Sequence, residues 1–319
     1  MSHFRYAGEN VLVTGGAGAI GGHLVRRLEE VSAKVIVLDD LSSGEKDNLC
    51  GTSATFVRGS VTDSRALDEV FADEIHAVYH LAALFANQNS VEHPALDLSV
   101  NGEGTLRVLE RARIKGVDRF VFVSSSCIYG NADGMLTEDL PPGRLDTPYA
   151  ATKLLGEHYT QFFHDFYGLP TVIVRLFNTY GPGERPGPYR NVIPNFIYRA
   201  LRGKPLPITG NGEETRDFNY VGDTVQGLLL AGGHPAAVGR IYNIATGREV
   251  RILDLANLIN QLTGNQAGID CCARRRWDHV SRRVGSIARI AQELGYRSTV
   301  SLEEGLRHTY EWIKTRALA

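Results

Sequence analysis

A glycine-rich turn follows directly after a short apolar run near the amino terminus. Val11-Leu12-Val13-Thr14 leads into a segment in which Gly15, Gly18 and Gly21 follow a G-x-x-G-x-x-G spacing. Glycine suits a tight turn, lets a pyrophosphate approach backbone N–H groups, and allows the next helix to pack closely on the strand. The amino terminus of that helix would then face the anion. The turn therefore predicts a strand, a dinucleotide-binding loop and a helix in succession.

Two aspartates end the next predicted strand. Asp39 and Asp40 follow the apolar run 35–38, at the place where a carboxylate accepts hydrogen bonds from the ribose of a bound adenosine. The same negative charge would repel a 2′-phosphate, which favours NAD over NADP. An aspartate that merely caps a turn is the alternative interpretation.

Short β-branched runs alternate with helical stretches through the first half of the chain. The predicted strands are Val11–Thr14, Val35–Asp39, Thr55–Arg58, Ala77–Leu81, Phe120–Ser124 and Thr171–Arg175, and the predicted helices between them are Gly21–Glu30, Ser64–Phe71, Leu96–Arg113 and Tyr149–Tyr167. Continuous apolar strands that alternate with helices are typical of a parallel sheet covered on both faces. The pattern predicts an α/β fold with a doubly wound parallel sheet of the Rossmann type.

The character of the sequence changes near residue 180. A Pro- and Gly-rich loop at 181–188 is followed by elements that no longer alternate regularly. The helices predicted here are Val192–Arg202, Asp223–Ala231, Leu253–Leu262, Ile287–Leu294 and Leu302–Thr315. We predict an NAD-binding domain over residues 1–179 and a smaller, mostly helical substrate lobe over 180–319, with some interleaving of the two.

Composition and charge exclude several kinds of partner. With 34 Lys and Arg against 36 Asp and Glu the formal net charge is −2, so no overall field draws the protein to nucleic acid or to an anionic membrane. No apolar run approaches the roughly 20 residues of a membrane span, and residues 1–10 lack the apolar core of a secretory signal. The four cysteines form no C-x-x-C pair and the ten histidines show no paired metal-ligand spacing. A cytoplasmic protein that acts on small molecules without a metal is expected.

A serine cluster and a Tyr/Lys pair form the predicted catalytic group. The run 124–130, Ser-Ser-Ser-Cys-Ile-Tyr-Gly, ends a predicted strand, and Tyr149-Ala-Ala-Thr-Lys153 opens a predicted helix. The i, i+4 spacing places Tyr149 and Lys153 on one face of that helix. The ammonium, together with the positive nicotinamide of NAD⁺, would stabilise a phenolate and lower the tyrosine pKa from its reference of about 10. Tyr149 is therefore predicted to act as a general base.

These motifs resemble the extended short-chain dehydrogenase/reductase family, and in particular its nucleotide-sugar epimerases and dehydratases. The resemblance covers nearly the whole chain and rests on residues 14–21, 39–44 and 80–83, on Asn101 with Gly104-Thr105, on the serine cluster, on Tyr149 and Lys153, and on residues 175–178, 216–218, 304–306 and Trp312. It implies an NAD-dependent epimerase in which Ser125 hydrogen-bonds the sugar hydroxyl that is oxidised. It also implies a homodimer built on the helices Leu96–Arg113 and Tyr149–Tyr167.

The resemblance further assigns residues to two ligands. The NAD pocket would be lined by Gly15, Gly18, Ala19, Ile20, Gly21, Asp39, Asp40, Ser43, Gly44, Ser60, Val61, Leu81, Ala82, Ala83, Asn101, Tyr149, Lys153 and Phe177. The sugar nucleotide would be held by Ser126, Asn178, Asn191, Val192, Arg216, Arg275 and Asp278. An arginine fork suits paired phosphate oxygens, although the run 274–276 also fits an ordinary solvated face. Ser60-Val61 stands where the family usually has an aspartate followed by an apolar residue.

The residues after Ser125 separate the reactions of this family. Dehydratases carry an Asp-Glu pair there and uronic-acid decarboxylases a glutamate, whereas this chain has Ser126 and Cys127. Inversion at C4 through a transient 4-ketose, with Tyr149 taking the hydroxyl proton, is therefore the first prediction. The segment around Cys127 also resembles that of GDP-mannose 3,5-epimerase, in which the cysteine is an acid/base, so C3/C5 inversion is the second. The alternative interpretation is that Cys127 is a small buried residue with a packing role only.

Two choices remain open at this stage. Family likeness favours a UDP-sugar as substrate, while a GDP-sugar would fit the acid/base interpretation of Cys127. A non-catalytic NAD-binding sensor or scaffold on the same fold is the alternative from another functional class. The chain keeps Tyr149 and Lys153, which such proteins typically lose, so an enzyme is the prediction.

Overall fold

The protein is described over residues 6–132 and 134–317 by a computed structural model. Its strands are β1 (Asn10–Thr14), β2 (Lys34–Asp39), β3 (Thr55–Arg58), β4 (Ala77–His80), β5 (Arg119–Ser125), β6 (Met135–Leu136), β7 (Thr171–Leu176), β8 (Asn178–Tyr180), β9 (Leu206–Thr209), β10 (Thr215–Arg216), β11 (Phe218–Tyr220), β12 (Ile241–Ile244), β13 (Val250–Arg251), β14 (Ile269–Cys272) and β15 (Val284–Gly285). Its α-helices are α1 (Ala19–Glu30), α2 (Ser64–Val70), α3 (Asn87–Glu92), α4 (Pro94–Asp97), α5 (Thr105–Lys115), α6 (Pro148–Tyr167), α7 (Val192–Leu201), α8 (Val221–Gly233), α9 (Ile252–Thr263), α10 (Ala288–Leu294) and α11 (Leu302–Ala317). Single 3₁₀ turns lie at Lys46–Leu49, Ser126–Tyr129 and Pro235–Ala237, and a π-helical segment lies at Leu98–Gly104.

A seven-stranded parallel sheet organises the described residues. Its strand order is β12-β7-β5-β4-β1-β2-β3, so the chain runs outward from β1 in one direction and then returns to β4 on the other side. Ligands of open α/β sheets bind at the carboxyl edge where the strand order reverses. That edge lies between β1 and β4, whose last paired residues are Thr14 and His80. The predicted doubly wound parallel sheet is confirmed.

Apolar side chains fill both faces of the sheet. On one face, Leu24 and Leu28 of α1 join Val225 and Leu228 of α8 in a buried cluster with the strands. On the other face, Leu67 of α2 and other fully or nearly fully buried side chains of α5 and α6 form a second cluster. Because both faces are covered, the strands consist of near-continuous apolar residues, as the sequence pattern indicated.

The second half of the chain contributes to both parts of the molecule. Strand β12 pairs with β7 at the edge of the main sheet, and the helices α8 and α10 pack on the same face as α1. The separate smaller lobe is built from α7, α9 and α11 around its own apolar cluster, with β14 pairing along β9. The interleaving therefore includes one strand and two helices from beyond residue 180.

The helix predicted at Leu96–Arg113 is present, and it contains a π-helical stretch that the sequence did not indicate. It is divided into α4, the π-helical segment Leu98–Gly104 and α5. Within this stretch Asn101 Nδ2 donates to Asp97 Oδ1 at 2.7 Å. Thr105 Oγ1 donates to the Asn101 carbonyl at 2.7 Å. Such π-helical turns often accompany functional sites. In the described part of the chain, no helix combines the length and apolar character needed to cross a membrane.

Candidate active site

One large cleft of about 1650 Å³ lies along the carboxyl edge of the sheet and is lined from both parts of the molecule. It exceeds the roughly 300–1,000 Å³ of a site for one drug-sized ligand, so it has room for two ligands. The predicted residues that line it are Gly15, Gly18, Ala19, Ile20, Gly21, Asp39, Asp40, Ser43, Gly44, Ser60, Val61, Leu81, Ala82, Ala83, Ser125, Ser126, Cys127, Tyr149, Lys153, Phe177, Asn178, Asn191, Val192, Arg216, Arg275 and Asp278. Asn101 is the predicted residue that is not part of this wall.

The glycine turn has the close packing that a dinucleotide site requires. Gly15 has a φ of +72°, and a Cβ there would lie 2.7 Å from the Ala82 backbone nitrogen. A Cβ on Gly21 would lie 2.2 Å from the Gly15 carbonyl oxygen, so only glycine lets α1 begin this close to the turn. Gly18 precedes α1 without a capping side chain, which leaves the first N–H groups of the helix to a phosphate.

Asp39 connects the end of β2 to the glycine turn. Its carboxylate accepts hydrogen bonds from the Ala17 and Leu41 backbone N–H groups at 2.9 and 2.8 Å. Burial raises the pKa of Asp39, and the two backbone bonds oppose that rise. A carboxylate has about four acceptor positions, so Asp39 keeps capacity for ribose hydroxyls. Together with the glycine turn, this geometry fits NAD.

The amino terminus of α6 holds Tyr149 in the cleft. Thr147 caps the helix by accepting a bond from the Ala150 N–H at 3.3 Å and donates its own hydroxyl to Asn87 at 2.8 Å. The Tyr149 N–H donates to Ser90 Oγ at 3.1 Å, so α3 and α6 fix each other. Ser125, at the end of β5, is close enough to the Tyr149 phenol to lower its pKa. Both side chains line the cleft.

Lys153 lies one turn further along α6. Its Nζ donates to the Val123 carbonyl at 3.0 Å and lies 5.8 Å from the centre of the Tyr149 ring. Burial lowers the pKa of Lys153 to about 8, although Asp97 and two other acidic groups oppose this shift.

Burial raises the pKa of Tyr149, and the nearby Cys127 and Asp97 raise it further. The predicted lowering of this pKa included the positive nicotinamide of bound NAD⁺, and it stays a prediction. Among the protein's own groups desolvation is the largest influence on the phenol, and the Ser125 hydroxyl opposes it.

Asn101 lies behind the wall of the cleft. It is only 1% exposed, its Oδ1 accepts from the Leu84 N–H at 2.7 Å, and its Nδ2 donates to Asp97. Asp97 in turn accepts a bond from Thr152 at 2.7 Å. Asn101 does not line the cleft, since its side chain bonds to Leu84 and Asp97, and its assignment to the NAD pocket stays a prediction. Asn101 instead positions Leu84, which does line the cleft.

The second lobe brings polar side chains to the other wall. Arg216 Nη2 lies 3.6 Å from Asp278 Oδ1. Burial lowers the pKa of Arg216 to about 10, and the positive charge of Arg283 contributes to the same shift. Arg275 is exposed, with its guanidinium 5.6 Å from the Trp277 ring centre.

Asn191 uses its side chain and its backbone N–H to hold the buried Glu184 carboxylate at 3.1 and 3.0 Å. Asn191 therefore organises the loop 181–190 as well as facing the cleft.

Several residues of the cleft carry no signal in the sequence. Trp277 donates to Gln88 at 2.8 Å and so joins the two walls. Arg283 is buried beside Cys127, although it lies in an arginine-rich stretch that resembles a solvated surface. Glu184 lies in a Pro- and Gly-rich loop and is also buried. Only their spatial neighbours distinguish these residues.

A Rossmann sheet whose switch-point cleft contains Ser125, Tyr149 and Lys153 defines an NAD-dependent enzyme of the short-chain dehydrogenase/reductase class. A family model described as the NAD dependent epimerase/dehydratase family matches residues 11–245, and the chain belongs to this family. The predictions of an enzyme and of NAD as its cofactor are confirmed.

Solved structures agree with this assignment over nearly the whole chain. An epimerase of Methanothermobacter thermautotrophicus is 46% identical, with a TM-score of 0.95 over 98% of this chain and 94% of its own. A UDP-glucose 4-epimerase of Thermotoga maritima, solved with UDP-glucose, is 35% identical, with a TM-score of 0.91 over 96% of this chain and 99% of its own. A UDP-glucuronic acid 4-epimerase of Bacillus cereus, solved with UDP-glucuronic acid and NAD, is 31% identical, with a TM-score of 0.89 over the same shares.

Proposed function

We propose that the protein inverts C4 of a nucleoside-diphosphate sugar, with UDP as the favoured nucleotide, through a transient 4-ketose. The observation that carries this proposal is the convergence of Ser125, Tyr149 and Lys153 on one cleft, followed by Ser126 and Cys127 rather than by carboxylates. The similar enzymes described as UDP-sugar 4-epimerases support the choice of reaction and nucleotide. A cytoplasmic location is part of the proposal.

The side chains of the cleft account for the proton transfer. The C4 hydroxyl of the sugar would lie between Ser125 and Tyr149, which both line the cleft, and its proton would pass to the phenol oxygen as the C4–H bond breaks. Lys153, with its ammonium held by the Val123 carbonyl, stabilises the phenolate form that accepts this proton. Bound NAD would supply an acceptor for the C4 hydride and, while oxidised, a positive charge near the phenolate. A 4-ketose that rotates in the cleft would regain hydrogen on the opposite face of C4.

Cys127 supports a second candidate, inversion at C3 and C5. The side chain is half-buried and lines the cleft. Its Sγ lies 3.6 Å from both Arg283 Nη1 and Asn87 Nδ2. A thiol beside cationic groups can exchange protons with a carbon made acidic by a neighbouring ketone. A GDP-sugar belongs to this candidate.

Product analysis in heavy water tests the proposed reaction. The protein is incubated with UDP-glucose, UDP-glucuronate, UDP-N-acetylglucosamine and GDP-mannose, and the products are identified by NMR. We expect the C4 epimer of a UDP-sugar without carbon-bound deuterium. Tyr149→Phe should reduce turnover by at least about 10²-fold, while the matched variant Tyr159→Phe on the same helix should not.

The same experiment can contradict the proposal in two ways. Deuterium at C3 or C5 that disappears in Cys127→Ser would replace C4 inversion by the second candidate. Full turnover in Tyr149→Phe would refute the assigned proton acceptor.

We also propose that the active form is a homodimer. Phe162, Phe166 and Tyr167 are exposed near the carboxyl end of α6, and Phe162 and Phe166 stack with their ring centres 5.3 Å apart. Arg113 of α5 lies over the Tyr167 ring at 4.7 Å, so the two helices share this surface. Contiguous exposed apolar side chains mark interaction surfaces, and a second copy of the same face of α5 and α6 would cover them.

A further inference from the structure

Two adjacent arginines near the cleft have opposite environments. The Arg282 side chain is 51% exposed and forms an ion pair with Glu249. Arg283 is only 8% exposed and lines the cleft. The difference arises because β15, which begins at the next residue, pairs with β6. This pairing directs the Arg283 side chain toward the turn at Cys127–Gly130.

The Arg283 guanidinium lacks an anionic partner among the described residues. Its Nη2 donates to the Gly130 carbonyl at 3.0 Å, and its Nη1 contacts the weak acceptor Cys127 Sγ at 3.6 Å. Its Nε is buried without any hydrogen-bond partner. Burial of a charged group is costly unless the charge is paired and its donors are satisfied. A ligand that brings an anion to this place would remove that cost.

The position of Arg283 indicates which part of a ligand it faces. Cys127 is two residues beyond Ser125, and its backbone N–H donates to Ser125 Oγ at 3.2 Å. Arg283 therefore lies at the reacting end of the cleft, where the sugar ring must be. Arg216, by contrast, already has Asp278 as a partner and is assigned by resemblance to the diphosphate.

We propose that Arg283 binds a carboxylate on the sugar, so that the substrate is a nucleoside-diphosphate uronic acid rather than a neutral hexose. This inference rests on the proposed C4 inversion and specifies its substrate class. The guanidinium carries donors in a planar fork that matches a carboxylate, and the side chain lines the cleft. The carboxylate at C6 would lie beside the C4 and C5 atoms that Ser125 and Tyr149 approach.

Sugar pairs that differ only at C6 test the proposal. UDP-glucose is compared with UDP-glucuronate, and UDP-N-acetylglucosamine with its uronic acid, by kcat/KM for C4 inversion and by calorimetric binding. We expect the wild type to prefer the acid of at least one pair by about 10- to 100-fold, the size of one or two charge-assisted hydrogen bonds. Arg283→Met should remove that preference while changing kcat/KM for the neutral sugar by less than about threefold. Arg283→Lys should keep part of the preference. Arg282→Met is the matched control and should behave as wild type.

Each outcome decides the proposal. A wild type that prefers the neutral sugar of both pairs overturns it, whatever the stability of the variants. If Arg283→Met lowers the affinity for both sugar nucleotides and for free UDP equally, the residue belongs to the diphosphate site, and the proposal is overturned. Absence of C4 inversion with every sugar refutes the proposed function. In that case calorimetric binding decides the carboxylate site. The wild type should bind the uronic acid more tightly than the neutral sugar, and Arg283→Met should abolish this difference.

Discussion

Lys153 is the active-site side chain whose charge responds most directly to pH near neutrality. Burial lowers its pKa to about 8 from 10.5 in the unfolded chain. Between these two values the unfolded chain binds more protons than the folded protein, so this residue makes stability rise with pH in that window. Below pH 8 both states hold the proton, and the buried ammonium lowers stability by its full desolvation cost.

Lys153→Met should therefore change the pH dependence of stability. We expect the urea midpoint of the wild type, relative to that of Lys153→Met, to increase from pH 8 toward pH 10 because only the wild type gains from losing a buried charge. Urea unfolding at pH 7, 8, 9 and 10 measures the difference. Lys115→Met, which removes an exposed lysine at the end of α5, should track the wild type at every pH. Parallel curves for wild type and Lys153→Met would contradict the lowered pKa.

At the residue scale, spacing within one element was predictable and burial was not. Tyr149 and Lys153 were predictable because four residues separate them on one helix. Arg282 and Arg283 are identical in type and adjacent, and nothing in the sequence says which of them is enclosed. The desolvation of the Tyr149 phenol was likewise not predictable from the sequence, since burial depends on the surrounding fold.

At the scale of elements, the glycine turn sets how closely α1 approaches β1. A methyl group on Gly21 would lie 2.2 Å from the Gly15 carbonyl oxygen, so α1 would have to move away from the phosphate-binding turn. We expect Gly21→Ala to weaken NAD binding at least tenfold and to destabilise the protein by about 1–3 kcal/mol, as overpacking does. Calorimetric titration with NAD and thermal unfolding measure the two effects.

Gly222→Ala provides the control for this prediction. The added Cβ in α8 would meet the Tyr220 ring at 3.2 Å, and that side chain can adjust. NAD affinity should stay within about twofold, because alanine is favourable in a helix and the residue is outside the cleft. Unchanged NAD affinity in Gly21→Ala would show that the turn tolerates the larger separation.

The elements themselves were predicted unevenly. The strand Thr55–Arg58 was predicted with its observed bounds, because a β-branched run between polar segments is a local signal. The helix at Leu96–Arg113 was predicted, but its π-helical stretch at Leu98–Gly104 was not. Strand β12 was not predicted, since its four residues acquire their role only by pairing with β7.

At the scale of the whole molecule, the exposed rings of α6 make the proposed dimer testable. Phe166 is 70% exposed in the single chain, and a second copy would remove it from water. We expect Phe166→Glu to convert a species of twice the 35.0 kDa chain mass into one of 35.0 kDa, because a carboxylate would be buried without a partner. Light scattering measures the mass, and Val31→Glu, at the exposed residue that follows α1, is the control for adding a charge elsewhere. A monomeric wild type would refute the dimer.

The sequence by itself determined six strands of the sheet, the glycine turn and the Tyr149–Lys153 pair, because each depends on residues close together in the chain. Strand periodicity, glycine spacing around Gly18 and the Tyr149–Lys153 interval are local quantities. The tertiary structure alone decided that Asn101 faces inward, that residues beyond 180 complete the main sheet, and that Arg283 is buried beside Cys127. These features depend on which distant segments pack together, since burial and charge pairing are properties of neighbours in space.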